Sequence, residues 1–207
     1  NSMNILNILN SIKENNATTF AAVPATLTSI VNNFPEKFVE KCSGLRLIIT
    51  NSTKIPKETI HKILHLLPNT KFATYYGLTE ASRSTFMIFN ENENKEESVG
   101  KAAPDVEIKI IKEKDDSKQG EICIRGKNVI ENYWNSEFSE NLIGGWLKTG
   151  DLGYLDTDEF LYLTGRKDYI INISGEKVNP LEIEGVVKTL ENIDEVIYED
   201  KKIKQKF

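Results

Sequence analysis

Cysteine and histidine are scarce in this 207-residue chain, with two of each. Cys42 and Cys123 stand far apart, with no neighbouring Cys or His at metal-ligand spacing, so neither a disulfide framework nor a structural zinc site is expected. Their thiols read as buried or chemically indifferent. His61 and His65 fall i,i+4 on an expected helix, but no third ligand is near them in sequence, and they read as surface residues. Long apolar runs are missing too: none approaches the roughly 18 residues of a membrane span. The start lacks the basic-then-apolar order of a secretory signal. A soluble, cytoplasmic protein with no membrane span is the expectation. A basic excess is also lacking, since 26 Lys+Arg face 31 Asp+Glu for a formal net charge of −5. A nonspecific polyanion binder needs the opposite balance, so no nucleic-acid partner is expected. Internal repeats and low-complexity tracts are absent.

What remains is a globular composition, 39% hydrophobic and 28% charged, in a chain long enough to bury a core without staples. Ile5, Leu6, Ile8, Leu9 and Ile12 recur at helical spacing before Asn15-Asn16. Thr19–Val23 reads as a strand, and Pro24 opens a helix with the stripe Leu27, Ile30, Val31, Phe34. Leu45–Thr50 and Lys71–Tyr76 are further strand-like runs, separated by a helix over Pro56–Leu67 that ends before Pro68. This alternation predicts a mostly parallel, helix-covered sheet with ligand loops at the strands' carboxyl ends. Beyond the polar stretch Asn90–Ser98 the pattern changes. Val106–Ile111, Glu121–Arg125, Trp146–Lys148, Gly153–Leu155 and Phe160–Leu163 are short runs between turn residues, which predicts antiparallel β structure. A helical pattern returns near Leu181–Leu190, and Asp194–Tyr198 reads as one more strand before a lysine-rich end.

Gly120 through Lys127 has the look of a Walker phosphate loop, but its glycines are one residue too far apart and Asn128 replaces the Ser/Thr. It fails on both counts. Lys201, Lys202, Lys204 and Lys206 read as a solvated terminus. Three other segments carry chemistry. Tyr75-Tyr76-Gly77-Leu78-Thr79-Glu80 follows a strand, as a strand-to-helix turn does. It offers a ring for a base to stack on, a hydroxyl for a phosphate, and a carboxylate of the kind that holds Mg²⁺ together with substrate phosphates. Gly145–Asp151 is a strand ending in a glycine and a carboxylate that can accept both hydroxyls of a ribose. Leu163–Asp168 closes a hairpin turning at Asp156-Thr157-Asp158, and Arg166 supplies a rigid fork of donors for hydroxyl or phosphate oxygens.

In this order and spacing the three segments resemble the core motifs of the adenylate-forming superfamily, which includes AMP-forming acyl-CoA synthetases and peptide-synthetase adenylation domains. Further matches are Leu45–Ile49, Gly120-Glu121-Ile122 with Gly126 and Tyr133-Trp134, and Ser174-Gly175-Glu176-Lys177 running into Pro180–Glu184. Glu80–Thr85 and the Ser-Gly-Glu-Lys run look more like the acyl-CoA ligases. The resemblance implies an α/β class with a partial adenylate-forming fold. That fold has an α/β layer over 1–97, an antiparallel β-barrel section over 98–167, and the start of a small α+β C-terminal domain over 168–207. It implies that Tyr76 stacks on adenine, Thr79 touches phosphate, Glu80 holds the Mg²⁺ of ATP, and Asp151 and Arg166 grip the ribose. Asp168 falls at the interdomain hinge and Gly175 where the pantetheine arm passes. Lys177 stands where many members have Arg, a point charge in place of a planar fork. After Thr50, where the family has glycines, this chain has Asn51-Ser52-Thr53-Lys54. The implied ligands are ATP, Mg²⁺ and CoA, and the implied partners are a carboxylic acid and a thiol acceptor, either CoA or a carrier protein. No Ser/Thr/Gly-rich phosphate loop precedes these segments, and no lysine from Lys188 onward has the Pro-x-Gly-Lys context of the catalytic lysine. The chain therefore reads as an excised piece, inactive by itself, of an acid:CoA ligase. A ligase that loads carrier proteins and a non-catalytic nucleotide-binding fragment are the alternatives.

Overall fold

A computed structural model describes residues 4–51, 53–113, 117–135, 141–173, 176–178 and 180–187. The chain opens with α1 (Ile5–Glu14), β1 (Thr19–Ala21), α2 (Pro24–Asn33), α3 (Pro35–Cys42), β2 (Leu47–Thr50), α4 (Lys57–Leu66) and β3 (Lys71–Leu78). The side chain of Asn4 caps α1 by accepting from the Asn7 N–H at 3.3 Å. Pro24 and Pro35 begin α2 and α3, where a missing N–H costs no helix bond. β1, β2 and β3 run parallel, setting Phe20 beside Ile48 and Ile48 beside Phe72. That row packs on the apolar stripes of the helices. Leu9, Leu27, Ile30, Phe38, Ile60 and Ile63 are all buried against it. Each such side chain contributes about 1.5–3 kcal/mol through burial. Cys42 sits in this core, where burial pushes its thiol up to about 12, and Cys123 is likewise buried.

The sheet is mixed and not mostly parallel, which corrects the expectation from sequence. β4 (Ala81–Ile88) folds back antiparallel on β3, and β5 (Lys101–Ala102) pairs antiparallel with β4. No helix follows Glu80; Thr79 and Glu80 form a two-residue hairpin turn. β4 escaped the pattern reading because its alternation is broken. Tyr76 pairs with Thr85 but Leu78 with Ala81, so the bulge around Arg83 throws the inside-outside order out of step. α3 was hidden because it starts directly after α2, with Phe34 serving as the junction of both.

The second sheet is antiparallel throughout, as the sequence predicts. Its strands are β6 (Val106–Ile111), β7 (Gly120–Gly126), β8 (Leu142–Ile143), β9 (Trp146–Leu155) and β10 (Leu161–Arg166), in the order β10-β9-β7-β6 with β8 on β9. The two runs read separately at Trp146–Lys148 and Gly153–Leu155 are one ten-residue strand. Gly150, at φ +74°, interrupts it in the middle, and the Thr149 hydroxyl repairs the ladder there. It donates to the Ile122 carbonyl at 2.8 Å and accepts from the Asp151 N–H at 3.0 Å. Asp151 therefore lies inside a strand and does not end one.

Asp156 closes the β9–β10 turn as expected, and it does more than turn the chain. Its carboxylate accepts from the N–H groups of Asp158 (3.0 Å) and Phe160 (2.9 Å), the Tyr162 hydroxyl (3.2 Å) and Lys95 Nζ (2.7 Å). Burial opposes ionisation of Asp156, yet Lys95 and the two backbone donors outweigh it and hold the carboxyl below the ordinary aspartate value. Asp156→Ala is expected to lower stability by about 2–3 kcal/mol at neutral pH, read as a shift of the denaturant midpoint. Because the folded value is depressed, that contribution is present above the unfolded pKa. The gap between variant and wild type should therefore shrink as pH falls through the depressed value.

After β10 come a 3₁₀ turn at Lys167–Tyr169, the two-stranded pair β11 (Ile171–Ile173) and β12 (Glu176–Val178), and α5 (Pro180–Val187). Gly175, the strand read at Asp194–Tyr198 and the terminal lysines lie outside the described residues.

Candidate functional site

Three of the residues singled out in the sequence meet where the two sheets join. Tyr76, near the end of β3, donates its hydroxyl to Asp151 Oδ2 at 2.7 Å. Arg166, at the end of β10, approaches Asp151 Oδ1 through Nε at 3.7 Å. Antiparallel pairing sets Arg166 directly opposite Asp151, so their meeting follows from the register of the β9–β10 hairpin. Asp168 extends the group, with its Oδ2 3.6 Å from Arg166 Nη2. A side chain at Gly150 would crowd this spot, since a Cβ there lies 3.4 Å from Arg166 Nη2. Burial, reinforced by the Asp151 carboxylate, pushes the Tyr76 hydroxyl well above its ordinary pKa and keeps it a neutral donor. The Tyr76 ring is only 8% exposed and packs with Ala81, Ile122, Ile124 and Leu147. Asp151 is 17% exposed and Arg166 47%, so the carboxylate and guanidinium form the accessible part. A carboxylate has about four acceptor positions, and Tyr76 takes one.

Thr79 and Glu80 stand beyond that group of contacts, in the hairpin turn that ends β3. Thr79 is exposed and Glu80 half-buried. Gly77 makes the turn possible, because the bulged backbone of β4 presses on it: a Cβ at Gly77 would lie 2.4 Å from the Arg83 nitrogen. The segment after β7 braces the turn from the other sheet. Ile130 N–H donates to the Glu80 carbonyl at 2.9 Å, and Val129 bridges to Ala81. Asn128 Nδ2 donates to the Ser82 carbonyl at 3.1 Å and the Ser84 hydroxyl at 2.9 Å, while Tyr133 donates its hydroxyl to Glu80 Oε1. Sequence reasoning gave Asn128 and Tyr133 no role at this turn. Their partners lie 44 to 53 residues away, and no local pattern announces such pairs.

Among the described residues no group of three or more His, Cys, Asp or Glu side chains could hold a metal ion by itself. Glu80 is a single carboxylate, which suits an ion whose remaining ligands are water and phosphate oxygens, as Mg²⁺ prefers. Lys177 lies in β12 opposite Asn172. Its side chain, like Gly175, is outside the described residues. In the loop after β2, Asn51 Nδ2 donates to the Tyr75 hydroxyl at 2.7 Å, so a side chain works where glycine was expected from the resemblance. His61, exposed, meets Glu96 at 3.4 Å.

A mixed, helix-packed sheet joined to an antiparallel sheet is the architecture of adenylate-forming enzymes. The chain superposes on the unliganded O-succinylbenzoate coenzyme A synthetase MenE of Bacillus subtilis with a TM-score of 0.80 and 29% identity, over 97% of this chain and 44% of that one. Against the same synthetase in complex with ATP and magnesium ion, the TM-score is 0.76 at 30% identity, over 89% of this chain and 39% of that one. Residues 3–134 match the family model described as AMP-binding enzyme, and the chain belongs to that family. It is 33% identical to the acyl-CoA ligase sidI of Aspergillus fumigatus, over 86% of this chain and 32% of that protein. The chain thus spans about a third of the length of the first curated relatives it matches.

Proposed function

We propose that the protein carrying this chain is an AMP-forming acid:CoA ligase. A substrate carboxylate attacks the α-phosphate of ATP, giving acyl-adenylate and pyrophosphate, and the thiol of CoA then displaces AMP to give a thioester. The observation that carries this reading is the convergence of Tyr76, Asp151 and Arg166 from three separate strands. Asp151 accepts the ribose hydroxyls with its remaining lone pairs, and Arg166 donates to ribose or phosphate oxygens from the same edge. Adenine lies against Tyr76. With the ring 8% exposed, a base reaching its face displaces part of the present cover. Thr79 donates to a phosphate oxygen, and Glu80 takes Mg²⁺, which neutralises charge developing on the phosphates. Most of the rate enhancement then comes from holding the attacking and leaving oxygens in line. Asp168 serves as the hinge, lying in the 3₁₀ turn just past β10 where a backbone rotation leaves both sheets intact. Gly175 admits the pantetheine arm and Lys177 supplies a cation near the phosphates.

The test is acid-dependent ATP–pyrophosphate exchange in the protein that carries this chain, followed by thioester formation with CoA or with a phosphopantetheinylated carrier protein. Exchange that requires a carboxylic acid, with AMP as product and CoA as acceptor, is the expected result. Thioester formation on the carrier protein alone would replace CoA in this reading. Hydrolysis to ADP, or exchange indifferent to acid, would remove the ligase assignment.

A further inference from the structure

We propose that Tyr133 is a positioning residue for Glu80, fixing the carboxylate through one oxygen so that the other faces a nucleotide-bound metal ion. The inference rests on the reading of Glu80 as the metal carboxylate and adds a residue to which that reading gives no part. Three hydrogen bonds join the segment 128–133 to the Glu80 hairpin without touching the carboxylate: two from Asn128, and one from the Ile130 N–H, which flanks the Val129–Ala81 bridge. They locate the backbone. The carboxylate itself sits on a flexible stem, and the Tyr133 hydroxyl is the one partner the structure gives it among the described residues.

Tyr133 is 44% exposed, and its hydroxyl supplies the Glu80 carboxylate with a donor. With Oε1 engaged, Oε2 retains its lone pairs. A carboxylate anchored in this way loses less rotational freedom when it takes a cation, and outer partners of this kind commonly change metal affinity by about 10- to 100-fold. The brace also has a geometric consequence: Tyr133 comes from the segment leaving the second sheet, so the metal-side carboxylate is oriented by the sheet that also carries Asp151.

The experiment uses the protein that carries this chain, with Mn²⁺ as the paramagnetic probe and ATP as the nucleotide. Free Mn²⁺ is counted by electron paramagnetic resonance, and ATP binding in EDTA is measured by calorimetry. Tyr133→Phe removes only the hydroxyl. It is expected to weaken Mn²⁺ retention in the ternary complex by about 10-fold or more while leaving ATP affinity in EDTA unchanged. Glu80→Gln should abolish the metal-dependent gain, and Tyr133→Phe added to Glu80→Gln should change nothing further, as two residues acting through one carboxylate require. Wild-type Mn²⁺ affinity in Tyr133→Phe would overturn the proposal while leaving the Glu80 reading in place. So would an equal loss with and without metal, which would make Tyr133 a structural residue only. Wild-type protein that binds ATP no better with Mn²⁺ than in EDTA, with Glu80→Gln silent, would overturn the Glu80 reading and this proposal with it.

Discussion

Asp151→Ala is expected to weaken AMP and ATP binding by on the order of a hundredfold or more. Two hydrogen bonds from ribose hydroxyls to a charged acceptor are lost, each worth about 1.5–3 kcal/mol. A second cost arises inside the protein. The Tyr76 hydroxyl, buried at the seam, loses the acceptor 2.7 Å away, and a stranded buried donor costs about 1–3 kcal/mol. Arg166 loses the anion directly across the hairpin from it. Asp151→Asn keeps an acceptor for Tyr76 and so separates the two effects: it should spare stability and still lose most of the nucleotide affinity. Lys177→Ala, which removes a single point charge, should cost less than Asp151→Ala. Calorimetric titration with AMP checks all three variants. A dissociation constant within a few-fold of wild type for Asp151→Ala would remove the ribose assignment.

Gly77→Ala should be strongly destabilising. The new Cβ would stand 2.4 Å from the Arg83 nitrogen and 2.7 Å from the Ala81 carbonyl oxygen, and both are backbone atoms that cannot swing aside. The hairpin must then open or change register, at about 3 kcal/mol or more, since overpacking against backbone sits at the high end of the usual 1–3 kcal/mol. Glu80 is three residues further on, so loss of the Mn²⁺-dependent part of ATP binding should accompany the loss of stability. Gly44→Ala is the control. A Cβ there has no atom within 4 Å, and its denaturant midpoint should stay near wild type. Equal midpoints for the two variants would mean that the bulge around Arg83 yields easily.

Much of the first sheet was legible because its signals are local. The stripe Leu27, Ile30, Val31, Phe34 does face the core, Pro24 starts its helix, and the apolar runs at Leu45–Thr50 and Lys71–Tyr76 hold the strands β2 and β3. The turn at Asp156-Thr157-Asp158 was equally plain, because its chemistry lies within the turn. What pattern reading lost are features set by distant partners. β4 keeps its place through pairing with β3 despite a bulge that scrambles its alternation. β9 stays one strand through Gly150 because the Thr149 side chain bridges to Ile122 on another strand. The candidate site divides in the same way. Asp151 and Arg166 were found as motif residues and are joined by hairpin register, whereas Asn128 and Tyr133 belong to a brace that exists only once the two sheets have met.

That brace bears on which changes of chain length the molecule can absorb. Both carboxylates assigned to the nucleotide are referred to one strand: Asp151 through the Thr149 bond to Ile122, and Glu80 through the residues leaving the far end of β7. Under the proposed function, β7 works as a ruler between the carboxylate for the sugar and the carboxylate for the metal. An inserted or deleted residue between Gly126 and Tyr133 would shift one mark against the other by about 3.3 Å, more than a metal–oxygen bond can tolerate. The same change between Lys112 and Gln119, ahead of the ruler, would move neither mark.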